Sequence, residues 1–274
     1  MRIACVGGGP AGLYFAISMK LRNPAVEIEV FERNKPGDTF GWGVVFSDQT
    51  RANLRANDPA SADTMEAEIA HWDDIDVHVG AAKVTSTGHG FIGIGRKRLL
   101  NILQDRAREL GVVQHFECEV DPSLEAYAGF DLVIASDGLN SRIRALREER
   151  FGVDIDVRPN KFVWLGTHQK FDAFKFIFVE TEHGWVWAHA YRFDQDTSTF
   201  IVECQPDTFG KFGFGEMTQE ETCRTCERIF ADHLDGHSLM TNAGHIRGSA
   251  WINFPRVLCR NWFDGKVILL GDAA

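Results

Sequence analysis

The sequence predicts an α/β fold in which a three-layer domain carries an inserted antiparallel β-sheet. Three observations predict this fold. A strand, a glycine turn and a helix open the chain, four segments of alternating apolar residues lie between Lys161 and Cys204, and the apolar strand Lys266 to Leu270 follows them. Strand and helix units in alternation build layered α/β domains, whereas consecutive alternating segments build antiparallel sheets. The expected divisions are residues 1–158 with an insertion at 40–95, the inserted sheet and its helix at 159–258, and the return to the first domain at 259–274.

The first division alternates between strand and helix patterns. Residues 3–6 form an apolar strand, the pattern from Pro10 to Leu21 is helical, and "EIEVFER" predicts a second strand. In the insertion, "SDQTRANLRANDP" predicts an amphipathic helix and "IDVHVGAAKVTSTGHGFIGIG" predicts strands. Leucines recur at helical spacing in "RKRLLNILQDRARELG", a helix that we expect to end at Gly111. The segments "QHFECEV" and "GFDLVIASDG" predict two further strands.

Aromatic residues in the inserted sheet share a parity along each strand. Phe162 and Trp164 are two residues apart, as are Phe176 and Phe178, and as are Trp185 and Trp187. Because alternate side chains of a strand project on the same side, each pair lies on one face of the sheet. Most of these rings are expected to pack against helices such as the one near residues 218–235, and the others could roof a pocket for a flat substrate.

Charge and composition exclude several classes of function. The 274 residues carry a formal net charge of −10, which argues against nucleic acid as a partner and favours small molecules. Glycines and Pro10 interrupt the apolar N-terminus, and no longer apolar run follows, so we expect neither a signal peptide nor a membrane span. Six cysteines without a regular framework indicate a reducing, cytoplasmic setting. Cys223 and Cys226 have the spacing of a zinc pair but lie in a helical pattern without further ligands, so no metal site is predicted.

A dinucleotide-binding fingerprint occupies the N-terminus. Gly7-x-Gly9-x-x-Gly12 follows a strand and opens a helix, where glycines permit a tight turn and the helix N-terminus faces the phosphates. Glu32 ends the second strand, 20 positions after Gly12, where such folds hold an adenosine ribose. The fingerprint does not separate NAD from FAD.

Three stretches together resemble one family. They are "VGGGPAGL" with "VFER", then "FDLVIASDGLNSRIR", whose Asp137-Gly138 and Ser141-x-x-Arg144 match an Asp-Gly motif, and finally "GKVILLGDAA", whose Gly271-Asp272 matches a Gly-Asp motif. In these stretches the chain resembles the class A flavoprotein aromatic hydroxylases of the para-hydroxybenzoate hydroxylase type. The resemblance covers the whole chain and implies a GxGxxG-type FAD-binding domain.

The resemblance implies FAD as the cofactor and assigns its contacts. Asp137 would contact pyrophosphates, Asp272 the ribityl chain, Arg96 the cofactor from a helix start, and Gly43 with Val44 the isoalloxazine ring. The structural alternatives are a turn-forming aspartate for Asp137, a solvated helix start for Arg96 and a plain glycine-rich loop for Gly43. The cofactor-binding residues expected in this sequence are Gly7, Gly9, Pro10, Ala11, Gly12, Glu32, Arg33, Gly43, Val44, Arg96, Asp137, Gly138 and Asp272.

The implied reaction is hydroxylation of an aromatic ring. NADH or NADPH would reduce FAD, O2 would add to form a flavin C4a-hydroperoxide, and its distal oxygen would enter the substrate ring. No catalytic residue is assigned. Trp164, Phe178 and Trp187 are the expected substrate contacts, together with His189, which either tunes the proton state of the substrate or is an ordinary strand histidine.

Within the family, "NKPGDTFGWGVVFSD", "GHGFIGIGRKRLL" and "KFVWLGT" are most similar to hydroxylases of coenzyme A thioesters of aromatic acids, salicylate or 2-aminobenzoate. The alternatives are hydroxylation of a tryptophan-derived indole substrate, reduction on a related scaffold, or an FAD-binding module without turnover. Some relatives have a fused or separate reductase domain. Because the family continues past Gly-Asp-Ala-Ala along the flavin, the resemblance implies a chain cut after a cofactor motif.

Overall fold

The computed structural model describes residues 1–39, 41–119, 121–242 and 250–274. In chain order the described strands are β1 (Arg2–Val6), β2 (Glu27–Phe31), β3 (Gly43–Ser47), β4 (Ala70–Trp72), β5 (Ile75–Val79), β6 (Ala82–Ser86), β7 (Phe91–Gly95), β8 (Val113–His115), β9 (Leu132–Ala135), β10 (Val153–Thr167), β11 (Phe174–Thr181), β12 (Gly184–Arg192), β13 (Ser198–Cys204), β14 (Leu239–Thr241), β15 (Ile252–Cys259), β16 (Phe263–Asp264) and β17 (Val267–Leu269). The helices are α1 (Pro10–Arg22), α2 (Asp48–Asn57), α3 (Pro59–Glu66), α4 (Arg96–Glu109), α5 (Arg142–Ala145), α6 (Glu148–Phe151), α7 (Pro206–Phe212), α8 (Gln219–Ile229) and α9 (Ala231–Leu234), with 3-10 turns at Glu125–Tyr127 and Gly271–Ala273.

A six-stranded sheet in the order β16-β17-β9-β1-β2-β8 forms the middle layer of the first body. Strands β17, β9, β1, β2 and β8 run parallel, as expected for strands that are joined through helices. Alternate side chains of β1 enter different cores: Ile3 and Cys5 pack with α1 and α4, whereas Ala4 and Val6 pack with Phe151 on the other face. The three-layer α/β class predicted from the sequence is confirmed.

Helix α4 illustrates how the sequence directs a helix to pack onto the six-stranded sheet. Its apolar residues recur every three or four positions, so Leu99, Leu103 and Ala107 lie on one buried face against α1 and the sheet. Arginines occupy its last turn, where they interact favourably with the helix dipole. The helix ends at Glu109, two residues before Gly111, whose φ of +78° is the left-handed conformation typical of a helix stop.

The second body is an eight-stranded sheet. Seven strands follow the order β14-β10-β13-β12-β11-β5-β6, and β15 pairs with β10. The four segments between Lys161 and Cys204 are its antiparallel centre. Strands β5 and β6 come from the 40–95 insertion, and β5 joins this sheet by parallel pairing with β11. Its strands β3, β7 and β4 form a separate three-stranded sheet, and Ile94 and Val44 of that sheet pack in the core of the first body. The insertion therefore contributes to both bodies.

In the described parts of the chain, helices cover only one face of the eight-stranded sheet. Val163, Ile177, Val186 and Phe200 project toward α8 and form its core with Cys226. None of the helices in the described residues is long and apolar enough to cross a membrane.

Candidate cofactor site and adjoining ring face

The glycine turn between β1 and α1 requires glycine at two positions for different reasons. Gly7 has a φ of +108°, and a Cβ there would lie 2.2 Å from the carbonyl oxygen of Ser136. A Cβ at Gly12 would lie 2.3 Å from the carbonyl oxygen of Gly7, so the third glycine lets the helix pack onto the turn. Gly9 caps α1 without a side-chain hydrogen bond, and Pro10 follows at the first helical position. The helix therefore begins with backbone N–H groups free to bind an anion.

Glu32 lies at the end of β2 with its carboxylate against this turn. Its Oε2 accepts a hydrogen bond from the Gly8 amide at 2.7 Å. Its Oε1 accepts from the backbone and side-chain nitrogens of Asn34 at 2.8 and 2.7 Å. A carboxylate has about four acceptor positions, so Glu32 is fixed in place and keeps acceptor capacity for a hydroxyl group.

Asp137 follows β9 and lies across the turn from Glu32. Its Oδ2 accepts hydrogen bonds from the amides of Arg142 and Ile143 at 2.9 and 3.4 Å. Its Oδ1 is buried and has no hydrogen-bond partner among the described residues. A buried carboxylate oxygen without a donor is costly, so this atom fits a site where a ligand supplies the donor.

Arg144 connects the two later motifs, a role that was not predicted from the sequence. It is 4% exposed and donates to the carbonyl oxygens of Asp272 at 3.4 Å and Ala273 at 3.1 Å. It also donates to the carbonyl oxygen of Leu139 in the Asp-Gly loop. The Ser141-x-x-Arg144 spacing was the available signal, because Ser141 caps α5 by accepting from the Arg144 amide at 3.0 Å.

Arg96 lies where the cofactor motifs meet the second body. It begins α4, and its Nε donates to Thr39 Oγ1 at 3.1 Å. Burial lowers the pKa of Arg96, and the neighbouring Asp272 opposes that shift. The guanidinium carbon lies 5.8 Å from the centre of the Trp164 ring, within cation–π range. Arg96 is therefore a half-buried side chain with a protein partner rather than a freely solvated helix start.

These groups surround one cavity of about 300 Å³, a size typical of small-molecule sites. The predicted cofactor residues that line it are Gly7, Gly9, Pro10, Glu32, Arg33, Arg96, Asp137, Gly138 and Asp272. Lining residues that were not predicted from the sequence adjoin the motifs but have no distinctive spacing; they include Gly8, Asn34, Lys35, Ser136, Asn140 and Arg142. The glycine turn, the acceptor positions of Glu32 and the unpartnered oxygen of Asp137 all fit a bound dinucleotide.

The remaining predicted cofactor residues lie around the cavity rather than in its wall. Gly12 and Ala11 face packing contacts, with Ala11 against Gly271. Gly43 is fixed between the bodies: its amide donates to Thr199 Oγ1 at 3.0 Å and its carbonyl accepts from the Tyr191 hydroxyl at 2.9 Å. Val44 packs against the core of the first body.

The second body presents a ring face to the cofactor side, opposite its helices. The strand registers order this face into three rows, which lie progressively farther from Gly43. The rows are Gly166, Thr199, Tyr191 and Phe174; then Trp164, Ile201, His189 and Phe176; then Phe162, Glu203, Trp187 and Phe178. The expectation that most of these rings pack against the helix near 218–235 is wrong, because that helix covers residues of the opposite parity.

All four predicted substrate contacts lie on the ring face. Trp164 is nearest to the cavity, because its ring lies against Gly41 and Arg96. His189 lies in the same row, 4.9 Å from the Phe176 ring centre, and Phe178 and Trp187 stack at 6.3 Å in the next row. Burial lowers the pKa of His189 despite the nearby Glu203, so its imidazole is neutral at pH 7.

The Cys223 and Cys226 pair lies in α8, under the other face of the sheet. Both thiols are buried and free, and burial raises the pKa of Cys223 to about 11. Within the described residues, no cluster of three or more histidine, cysteine or acidic side chains has the geometry to hold a metal ion.

Comparison with known proteins gives relatives over the whole chain. The chain is 42% identical over 282 residues to salicyloyl-CoA 5-hydroxylase of a Streptomyces species, covering 100% of this chain and 53% of that protein. It is 33% identical over 279 residues both to protodeoxyviolaceinate monooxygenase of Chromobacterium violaceum and to 3-hydroxy-4-methyl-anthranilyl-(aryl-carrier protein) 5-monooxygenase of Streptosporangium sibiricum, covering 100% of this chain and 72% of each relative. The chain thus spans about half the length of the first of these proteins. No family model matches the chain.

Solved structures share the fold at lower sequence identity. The tetrameric form of 2-methyl-3-hydroxypyridine-5-carboxylic acid oxygenase superimposes with a TM-score of 0.77 at 19% identity, covering 100% of this chain and 75% of that one. The similarity therefore extends to both bodies and to their connection.

Proposed function

The chain belongs to the flavoprotein aromatic hydroxylases, and on this premise we propose that it is an FAD-dependent monooxygenase that uses NADH or NADPH and O2 to hydroxylate an aromatic ring. The proposed substrate is the coenzyme A thioester of salicylate or 2-aminobenzoate. One observation carries the proposal: the cavity formed by the dinucleotide motifs meets, at Arg96 and Trp164, a sheet face rich in aromatic rings.

The residues around the cavity suit successive parts of FAD. Glu32 would accept hydrogen bonds from the adenosine ribose, and the free N–H groups of α1 would bind the pyrophosphate. Asp137 would receive a donor on its unpartnered Oδ1. Asp272, which also lines the cavity, would accept from ribityl hydroxyls, and Gly43 with Val44 would lie beside the isoalloxazine ring.

When it is bound and reduced, FAD supplies the chemistry that activates O2 and delivers one oxygen atom to the substrate. The residues of the chain have to place the substrate ring and keep water away. Trp164 and the half-buried rings of the next row form an apolar surface for a flat substrate. His189, neutral at pH 7, would accept or donate one hydrogen bond at the substrate hydroxyl or amino group.

The choice of a carrier-linked substrate is supported by the relatives. The names of two of them specify an aromatic acid attached to coenzyme A or to a carrier protein. The third has a differently named substrate, protodeoxyviolaceinate, so an indole substrate is the alternative to test in parallel.

The first experiment is a visible absorption spectrum of the purified chain, followed by release and identification of the flavin. NADH or NADPH oxidation and O2 uptake are then measured with salicyloyl-CoA, 2-aminobenzoyl-CoA and an indole carboxylate. We expect one FAD per chain, substrate-dependent O2 uptake and a product that contains one additional oxygen atom from 18O2. FAD binding without substrate-dependent uptake would make the chain a binding module, and substrate reduction without oxygen incorporation would make it a reductase.

A further inference from the structure

The far row of the ring face contains a single carboxylate. Glu203 of β13 pairs across the sheet with Phe162 on one side and Trp187 on the other. Trp187 Nε1 donates to Glu203 Oε2 at 3.1 Å, and Asn160 Nδ2 donates to Oε1 at 2.9 Å. Since each carboxylate oxygen accepts about two hydrogen bonds, both oxygens of Glu203 keep one acceptor position on a half-buried aromatic surface.

Among the described residues, the three rows of the ring face hold no cation that offsets this charge. None of the residues in its three rows is a lysine or an arginine. Lys161 is directed to the other face, where its Nζ lies 5.6 Å from the Phe209 ring centre, and Lys175 pairs there with the buried Asp76. His189 is the nearest titratable neighbour in the rows, and its imidazole is neutral because burial lowers its pKa. Arg96 lies beyond Trp164, at the cavity.

We propose that Glu203 is a specificity-determining residue that rejects free aromatic carboxylates and favours ring substrates whose acid group is masked as a thioester. This inference rests on the proposed function. A second negative charge on this half-buried surface would meet uncompensated repulsion, whereas a thioester brings no charge at the ring. The free acceptor positions of Glu203 also suit a ring hydroxyl or amino donor, the groups that make an aromatic ring reactive toward hydroxylation.

The alternative is that Glu203 only holds Trp187 and Asn160 in place. The variant Glu203→Gln separates the two roles, because glutamine keeps the shape and one acceptor oxygen but removes the charge. Glu182→Gln is the matched control: it makes the same charge change in the β11–β12 turn, where the Glu182 side chain is 85% exposed.

The test compares a neutral ligand with an anionic one. Salicylamide and salicylate are titrated into the chain saturated with FAD, and binding is followed by calorimetry and by ligand-observed NMR, so that the readout does not depend on turnover. We expect the wild type and Glu182→Gln to bind salicylamide at least about tenfold more tightly than salicylate. In Glu203→Gln this ratio should fall to within about threefold, mainly through tighter binding of salicylate.

An unchanged ratio in Glu203→Gln would overturn the inference, as would a wild type that binds the two ligands equally or binds neither. The O2-uptake assay distinguishes this failure from failure of the proposed function. Hydroxylation of salicyloyl-CoA with an unchanged ratio rejects only the role of Glu203. If the affinity ratios for salicylamide and salicylate are as expected but no oxygen is incorporated, the role of Glu203 in ring binding is supported and the proposed reaction is rejected.

Discussion

The buried guanidinium of Arg144 donates a hydrogen bond to the carbonyl oxygen of Ala273 across 3.1 Å, between segments 129 residues apart in sequence. The same side chain donates to the carbonyl of Leu139, beside the Asp-Gly motif. Two cofactor motifs that follow different strands, β9 and β17, are therefore held at a fixed separation by one arginine. A cavity that binds an elongated ligand needs this separation to be set before the ligand arrives.

Replacing Arg144 by methionine should reduce both stability and cofactor affinity. The variant leaves buried carbonyl oxygens without a donor, so we expect the free energy of unfolding to fall by about 2–4 kcal/mol. Arg144→Lys should recover only part of this loss, because one ammonium does not reproduce the planar fork. Urea unfolding and FAD titration measure the two effects. Arg150→Met, at an exposed position of the neighbouring helix α6 and outside the cavity wall, is the control and should change stability by less than about 0.5 kcal/mol.

Glu32→Ala should weaken FAD binding without unfolding the chain. The variant removes the acceptor for the ribose and the partner of the Gly8 amide, so a loss of about 10–100-fold in affinity is expected. Flavin fluorescence quenching on addition of FAD to the apoprotein measures it. Glu27→Ala changes a carboxylate of the same strand that is 74% exposed, and its affinity should equal that of the wild type. Equal affinity in Glu32→Ala would instead remove this residue from the site.

Stability should depend on the charge of Asp76 above about pH 4. Asp76 is buried, and although burial raises its pKa, hydrogen bonds from Lys175, Thr85 and Lys83 outweigh that effect and hold the pKa well below its usual range. A carboxylate with a depressed pKa in the folded state stabilises the fold above its unfolded pKa, about 3.9, and this contribution is lost as the pH falls toward the folded pKa.

The variant Asp76→Asn tests this dependence. Its stability deficit relative to the wild type should be largest near pH 7 and should shrink below about pH 4, as measured by urea unfolding across that range. Asp196→Asn breaks an ion pair with Lys170 in which Asp196 is 77% exposed, and its deficit should be small at every pH. A deficit that stays constant down to pH 2 would contradict the proposed linkage.

Native thiol reactivity should come from one cysteine. Burial raises the pKa of Cys5 and Cys204 to about 12 and that of Cys223 to about 11, so little reactive thiolate forms at these positions at pH 8. Cys118 is only half-buried. Reaction with Ellman's reagent should show one fast equivalent that disappears in Cys118→Ser, and all six thiols should react in denaturant. A second fast thiol in the native protein would contradict this prediction.

Much of the fold was predictable because its signals are local. The turn from Gly7 to Gly12, the helical leucines of α4 and the alternation in β10 to β13 each depend on residues close in sequence, and the three-layer class is confirmed. The extent of single elements was less predictable: among the described residues of "QHFECEV", the strand includes only Gln114 and His115, since pairing of β8 with β2 ends there. The pairing of β5 with β11 had no signal, because partners in a parallel pair are distant in sequence.

The candidate site divides in the same way. Glu32 and Asp137 were predicted from their spacing within sequence motifs. Asn34, Asn140 and Arg142 were identified only from the structure, because they line the cavity. The sequence also showed that the rings of each strand share one face of the sheet, but it did not show whether that face points to the helices or to the cofactor. The two faces of an alternating strand are equivalent in the sequence, and tertiary packing determines which of them is buried against helices. Here the helices cover the face of Val163 and Ile177 and leave the face of Trp164 and Phe176 to the cofactor side.

The sequence by itself determined the α/β class, the dinucleotide turn and the family, because glycine spacing, periodicity and motif order are properties of the chain as written. Only the tertiary structure decided that Arg144 joins two motifs and that the ring face adjoins the cavity through Arg96 and Trp164. It also decided that, in the part of the chain that is described, Glu203 lies in a row of rings that holds no lysine or arginine. Such relationships depend on which distant segments share a buried surface, and this is determined by the packing of all layers together.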